Sequence, residues 1–303
     1  MTSGGESGQG RDWITSPYLR LAAFASVLAV LAGVAALIGR SSGFEVGEST
    51  DHDGAVEAAH GGQAPPGMWG NGRGNGLSDA AAGLRLRLEP TTLRRGARSR
   101  LRLAIVDRRG EAIGELRGGH GEPPLHLILV RRDLNGYQHL HPKPNGTGYA
   151  VDVTLPQAGI WRAYADFEVE GEKVVLGRDL FVPGDFAPQS LRAVGDSDST
   201  NGYDVMLAGR EFHAGEEATL SFRIDRGGQT VEPLDPYLGA DGHLVAIRED
   251  DLAYLHVHPL ESSAAAGIAF AADFAEPGRY ALFLQFKHEG SVQTARFTVA
   301  VAR

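Results

Sequence analysis

Residues 123–142 read PPLHLILVRRDLNGYQHLHP, and residues 237–259 read YLGADGHLVAIREDDLAYLHVHP. Each starts with an apolar run, passes through a charged, polar turn and enters a second short run ending in His-x-His-Pro. A short apolar run bounded by turn residues reads as a buried strand, and two of them around a polar connection read as a hairpin. Thirteen positions separate the first histidine from the second in both stretches, so His126, His139 and His141 map onto His243, His256 and His258 at a constant offset of 117. A recurrence at fixed spacing is the mark of a duplicated unit.

Working outward, both halves repeat the same series of short alternating runs separated by Gly, Pro, Asp and Asn. The first series is 84–88, 99–106, 125–131, 137–141, 149–155, 160–169 and 174–182; the second is 203–207, 217–224, 242–248, 253–259, 267–274, 279–286 and 291–302. Downstream, GIWRAYADFEVEG (159–171) aligns with GRYALFLQFKHEG (278–290) at offset 119, a difference of two residues. Seven short strands at this spacing indicate an immunoglobulin-like sandwich. The expected fold is therefore all-β, two tandem immunoglobulin-like β-sandwich domains at 84–183 and 203–303. A hinge of linker composition at 184–202, containing GDSDSTNG, joins them.

The residues before these domains have another character. LAAFASVLAVLAGVAALI (21–38) carries no charge and is bounded by Arg20 and Arg40. With its edges, 18–39, it is long enough to cross a hydrocarbon core of roughly 30 Å. A cleaved signal peptide is the alternative, but the run exceeds the usual apolar length of one. Arg11 and Arg20 precede it, giving a slight basic excess on that side, so 1–17 is expected in the cytoplasm and the domains outside it. Residues 40–83, rich in Gly, Ala, Asp and Glu, read as a flexible linker, in which His52 and His60 are solvated.

Composition narrows the function. Among 303 residues, 29 Lys and Arg face 38 Asp and Glu for a net charge of -9, which disfavours nucleic acid as a partner. The chain has no cysteine, which removes disulfides, thiol nucleophiles and thiolate metal sites. Three methionines are too few for a Met-rich Cu(I) relay.

The histidines carry the chemistry. On a strand, positions i and i+2 share a face about 6.5–7 Å apart, so His-x-His can direct two imidazoles to one ion. If Val130 pairs with Tyr137, His126 comes opposite His141 with His139 on the same face. Pairing Ile247 with Tyr254 likewise sets His243 opposite His258. Slipping the register by one residue would split each set between faces. The expectation is one three-histidine site per domain, His126, His139 and His141 in the first and His243, His256 and His258 in the second, each open at a fourth position and suited to copper or zinc. Because the ligands must be neutral, binding is expected to weaken as pH falls through about 6.5. The bland reading is that the histidines are packing residues kept by duplication. His120 reads as a solvated loop residue within reach of the first site, His213 as surface, and His288 as either an extra ligand of the second copy or a strand-end histidine. Trp161 and Tyr280 read as core, and the replacement of Asp166 by Gln285 speaks against a duplicated catalytic acid.

These strings resemble the exported His-x-His-Pro proteins of actinobacteria and other bacteria, labelled uncharacterised or heavy-metal-binding. More distantly, the domains are similar to YtkA-like and CopC-like immunoglobulin-type domains, some of which bind copper outside the cytoplasm. The resemblance implies the same six histidines as ligands and an extracytoplasmic metal-binding role, although the copper-carrier features of Met clusters and an N-terminal ligating histidine are missing. A cupin enzyme would add a Glu three or four residues beyond the His pair, where Pro144 and Asn145 stand after His141, and no nucleophile elbow or phosphate loop is present. The protein is thus expected to be a non-enzymatic, membrane-anchored metal binder. The alternative is a cell-envelope scaffold that binds a protein partner.

Overall fold

The computed structural model describes residues 72–303 except 115, 117, 119–122, 210 and 261–266. The expected tail, membrane span and most of the linker, with His52, His60 and His120, lie outside the described residues. Among the described residues there is no helix long and apolar enough to cross a membrane.

The described residues are all-β, and each copy is a pair of sheets, antiparallel except for the short parallel pairs of Gly72–Arg73 with Lys173–Val174 and Phe212–His213 with Val301–Ala302. In the first copy one sheet holds Leu84–Glu89, Arg98–Val106 and Gly148–Thr154, while the other holds Glu172–Val182, Gly159–Val169, Leu125–Arg131 and Tyr137–Leu140. This is the immunoglobulin distribution of strands. The second copy repeats it, with Tyr203–Ala208, Glu217–Arg226 and Ile268–Asp273 facing Ser291–Ala302, Gly278–His288, Gly242–Arg248 and Tyr254–Leu255. Alternation builds each core: Leu86, Leu101, Leu127, Trp161 and Leu176 fill the first, and Val205, Phe222, Leu244, Phe270 and Phe286 the second. Trp161 Nε1 donates to the carbonyl of Gln157 and Tyr280 Oη to that of Glu276, so even the polar tips of these aligned core aromatics repeat.

Leu125–Arg131 is buried along its whole length. Leu125, Leu127 and Leu129 point into the first core, whereas Ile128 and Val130 belong to a third apolar cluster. That cluster joins the copies: Tyr164 and Val175 of the first meet Val245, Ile247, Tyr254, Ala281 and Phe283 of the second. Two-sided burial of this kind is what turns an alternating strand into a continuous apolar run. The contacts across the interface are reciprocal. Tyr137 stacks on Phe283 at 4.2 Å between ring centroids, and its counterpart Tyr254 lies 5.4 Å from Tyr164, the residue aligned with Phe283. Reciprocity relates the copies by an approximate two-fold, as in an isologous dimer.

Three segments differ from the expectation. The end of the linker is ordered: Gly72–Arg73 pairs in parallel with Lys173–Val174, and Ala80–Ala81 pairs with Leu84–Arg85. The carbonyl of Asn75 accepts the Tyr254 amide at 2.8 Å, so this segment touches both copies. It lies so close to the sheet that a Cβ on Gly177 would strike the Gly76 carbonyl. The end of the hinge is also a strand, Ser197–Thr200, which pairs with Tyr203–Met206 through a tight Asn201–Gly202 turn. Finally, the run 253–259 divides between the two sheets of the second copy.

A histidine cluster at the interface of the two copies

The hairpin register places the histidines. Val130 pairs with Tyr137 and Ile128 with His139, so Tyr137, His139 and, one step past the strand, His141 follow the interface face on which His126 lies. His126 is buried, and His139 and His141 are half-buried. One ring nitrogen from each of the three lies within 4.8 Å of the others. The rings of His126 and His139 are 5.1 Å apart, those of His139 and His141 4.7 Å, and those of His126 and His141 5.2 Å.

The second copy does not assemble its own set. Ile247 pairs with Tyr254 and Ala246 with Leu255, after which the chain crosses to the opposite sheet, where Val257 pairs with Ala272 and His258 with Ala271. His258 is exposed, 5.8 Å from the ring of His256. His243 instead joins the first copy's group, stacked on His126 at 5.2 Å with only 7° between planes and 4.5 Å from His139. Among the described residues one triad, His126, His139 and His141, thus stands in place of two, with His243 of the second copy packed against two of its rings but outside the set of ring nitrogens within 4.8 Å. His256 stands across the approximate two-fold from His139. Its Nε2 is 3.8 Å from Asp166 Oδ1, where His139 Nδ1 meets Gln285 Oε1 at 2.7 Å.

Burial governs the protonation of these rings. Loss of solvent, reinforced by His139 and His141, lowers His126 from its ordinary value to about 2. Burial beside His141 lowers His139 to about 3, and His243 is held well below the ordinary value by burial, then by His139 and His126. His141 is also lowered, by burial and then by Lys143. All four are neutral at physiological pH, the state in which imidazole binds metal.

The hydrogen bonds fix the tautomers. Gln285 Oε1 accepts from His139 Nδ1 and from the Tyr237 hydroxyl at 3.3 Å, while its amide nitrogen donates to Thr294 Oγ1 at 3.3 Å. His139 Nε2 is thereby left as an acceptor, and His126 Nδ1 donates to it at 2.8 Å. Beyond this chain, His141 Nε2 and His243 Nδ1 are buried without a hydrogen-bond partner. Leaving such a nitrogen unsatisfied costs on the order of 1–3 kcal/mol, and a metal would use the free lone pair. The donor set thus fits a Zn(II) or Cu(II) ion by chemistry and by its orphaned nitrogens.

A cavity of about 50 Å³ adjoins the cluster, bounded by His126, His243, His256, Asp166, Lys173 and Tyr254. The Tyr254 hydroxyl donates to Asp166 Oδ2 at 3.0 Å. Asp166, Gln285 and Lys173 carry no site signal in the sequence. What could have found Asp166 and Gln285 is their parity with Tyr164 and Phe283 on strands whose other face is core. Of the other histidines, His288 bonds the Tyr203 hydroxyl at 2.8 Å and His213 lies 4.0 Å from Glu216, both away from the cluster.

Fold and cluster together define a tandem immunoglobulin-like protein with a histidine-lined interface. The chain belongs to the family described as Domain of unknown function (DUF8832), whose model matches it twice, at residues 79–182 and 198–303. No curated protein matches the chain. Among solved structures it is similar to the Escherichia coli adhesin FdeC, at 16% identity over 73% of this chain and 64% of that one with a TM-score of 0.26. It is also similar to Salmonella alpha-2-macroglobulin, at 13% identity over 78% and 16% with a TM-score of 0.27. Invasin, a bacterial integrin-binding protein, matches at 13% identity over 73% and 39% with a TM-score of 0.22. The chain spans less than two thirds of the length of each of these structures.

Proposed function

We propose that this is an exported, membrane-anchored protein that holds a copper or zinc ion through His126, His139 and His141, for sequestration, delivery or sensing outside the cytoplasm. The observation that carries the reading is the convergence of three neutral imidazoles to within 4.8 Å, with His141 Nε2 buried and unpartnered. Binding suits the site better than catalysis. The three rings that converge are imidazoles held neutral by burial, the form that ligates a metal, and the one carboxylate near them, Asp166, is engaged by the Tyr254 hydroxyl at 3.0 Å.

The competing reading is a cell-envelope scaffold in which the same histidines only tie the copies together. The His126–His139–Gln285 hydrogen-bond chain, which links the two copies through protein groups alone, favours it. Metal analysis separates the two. The full chain, incubated with Cu(II) sulfate or Zn(II) chloride and freed of unbound metal by gel filtration, is expected to retain one ion per chain, and retention of none would establish the scaffold. For the anchored topology, protease added outside intact cells should remove both domains, and protection of both would reverse the orientation.

A further inference from the structure

The copies do not contribute equally to the cluster, and what the second adds is one imidazole. His243 is the second residue of the Gly242–Arg248 strand, on the face shared by Val245 and Ile247, which pack into the interface, while Leu244 and Ala246 point into the second core. This parity delivers the His243 ring to two members of the first copy's triad, 4.5 Å from His139 and 5.2 Å from His126, just outside the set of ring nitrogens within 4.8 Å, so that a small shift of the ring on binding would complete the shell. Its Nδ1 is buried without a hydrogen-bond partner. A histidine placed there only for packing would be expected to have that nitrogen bonded, as Gln285 bonds His139.

We propose that His243, supplied by the second copy, is the fourth ligand of the ion held by His126, His139 and His141, so that a single metal bridges the two sandwiches. The proposal rests on the reading of the triad as a metal centre. Four imidazoles complete a four-coordinate shell and leave no position for water or substrate, which is the arrangement of a site that retains its metal and not of one that uses it. Because the ligands come from both copies, the ion leaves only when the interface opens. The bound metal thus reports on the association of the domains, and a partner that pries them apart would release it.

The test uses the full chain loaded with Zn(II) chloride or Cu(II) sulfate. X-ray absorption at the zinc edge should give four imidazole nitrogens for the unaltered chain and three for His243→Ala. The variant should bind at least about tenfold more weakly and lose metal faster to a chelator, as expected when part of a site is removed. His243→Gln, which keeps a polar side chain of similar length, should reproduce the weakening if the alanine variant folds poorly. Unchanged affinity and nitrogen count in a folded His243 variant would overturn the bridging ligand and leave the three-histidine reading standing. No metal uptake by the unaltered chain would remove both.

Discussion

The two copies carry the same His-x-His-Pro hairpin in the same register, yet only one gathers its histidines. In the first, the ladder with Leu125–Arg131 runs four pairs, from Tyr137 to Leu140, before the chain crosses to the other sheet at Lys143. In the second it runs two, and the crossing falls at His256. The first strand presents Gln138 and Leu140 on its non-interface side, and the Gln138 amide bonds the Thr154 carbonyl at 2.7 Å. The second presents Leu255 where the first has Gln138, while Val257 packs on the second core as Leu140 does on the first, and after its earlier crossing His258 is at the surface. Ligand spacing therefore sets what a hairpin can bind, and the point of sheet crossing sets whether it does.

The largest expected effect separates the copies outright. Replacing His139 and His141 by alanine should abolish metal retention in the full chain, while replacing His256 and His258 should leave it at the unaltered level by metal analysis. Equal losses from the two pairs would show that the second hairpin is also a ligand set.

Acid should sharpen the same contrast in the metal-free chain. His126, His139 and His243 have folded pKa values depressed by burial, so between those values and the unfolded value near 6.5 the unfolded chain binds more protons. Their contribution to stability is complete above about 6.5 and is lost as pH falls below it. Urea midpoints from pH 7.5 to 4.5 should therefore decline with acid, and less steeply in His126→Ala compared over the same range. A flat profile in the unaltered chain would mean that the cluster is open to water. The depressed values also move proton competition for metal below the pH of about 6.5 expected from free imidazole.

The interface itself can be weighed against a core. Phe283→Ala removes the ring on which Tyr137 stacks and should cost about 3–5 kcal/mol in urea unfolding, the range for burying and then deleting a phenylalanine. Phe286→Ala, three residues along the same strand but on the face inside the second core, should cost a similar amount without loosening the metal. If only Phe286→Ala destabilises, the copies fold without leaning on each other. A smaller effect belongs to Gln285, the positioning residue behind His139. Gln285→Leu should weaken Zn(II) binding about ten- to a hundredfold. Asp166→Asn, at the equivalent place behind His256, should change it less than twofold, and the reverse order in titrations would assign the ion to the other side of the interface.

Much of this was legible in the residues. The alternating runs gave the strands of both sandwiches, and the Val130–Tyr137 and Ile247–Tyr254 pairings follow from the turn lengths. The meeting of the copies was harder to read, although LHLILVR and HLVAIR are apolar on both parities, which one sandwich alone does not require. Residues 72–83 and 197–200 read as linker because their composition lacks apolar surface. They are held instead by backbone pairing, to which composition is blind. The sheet crossing that parts His256 from His258 depends on the competition of two faces for one strand, and no spacing rule encodes it.

The smallest expected effect compares two turns. Ala80–Ala81 joins Leu84–Arg85, and Ser197–Thr200 joins Tyr203–Met206, by two-residue hairpin turns at aligned positions. The first central residue is left-handed in both, Ala82 at φ 53° and Asn201 at φ 48°. Asparagine tolerates this region because its short polar side chain can bond locally, whereas alanine meets the Cβ penalty of roughly 1 kcal/mol. Asn201 also donates to Gln293 Oε1 at 2.7 Å. Ala82→Asn should accordingly raise stability by about 0.5–1 kcal/mol, and Asn201→Ala should lower it by somewhat more, since the Gln293 bond is lost as well. Both are measurable as opposite shifts of the urea midpoint at constant slope. A null result at Ala82 alongside a loss at Asn201 would place the whole difference in the Gln293 hydrogen bond and none in the backbone.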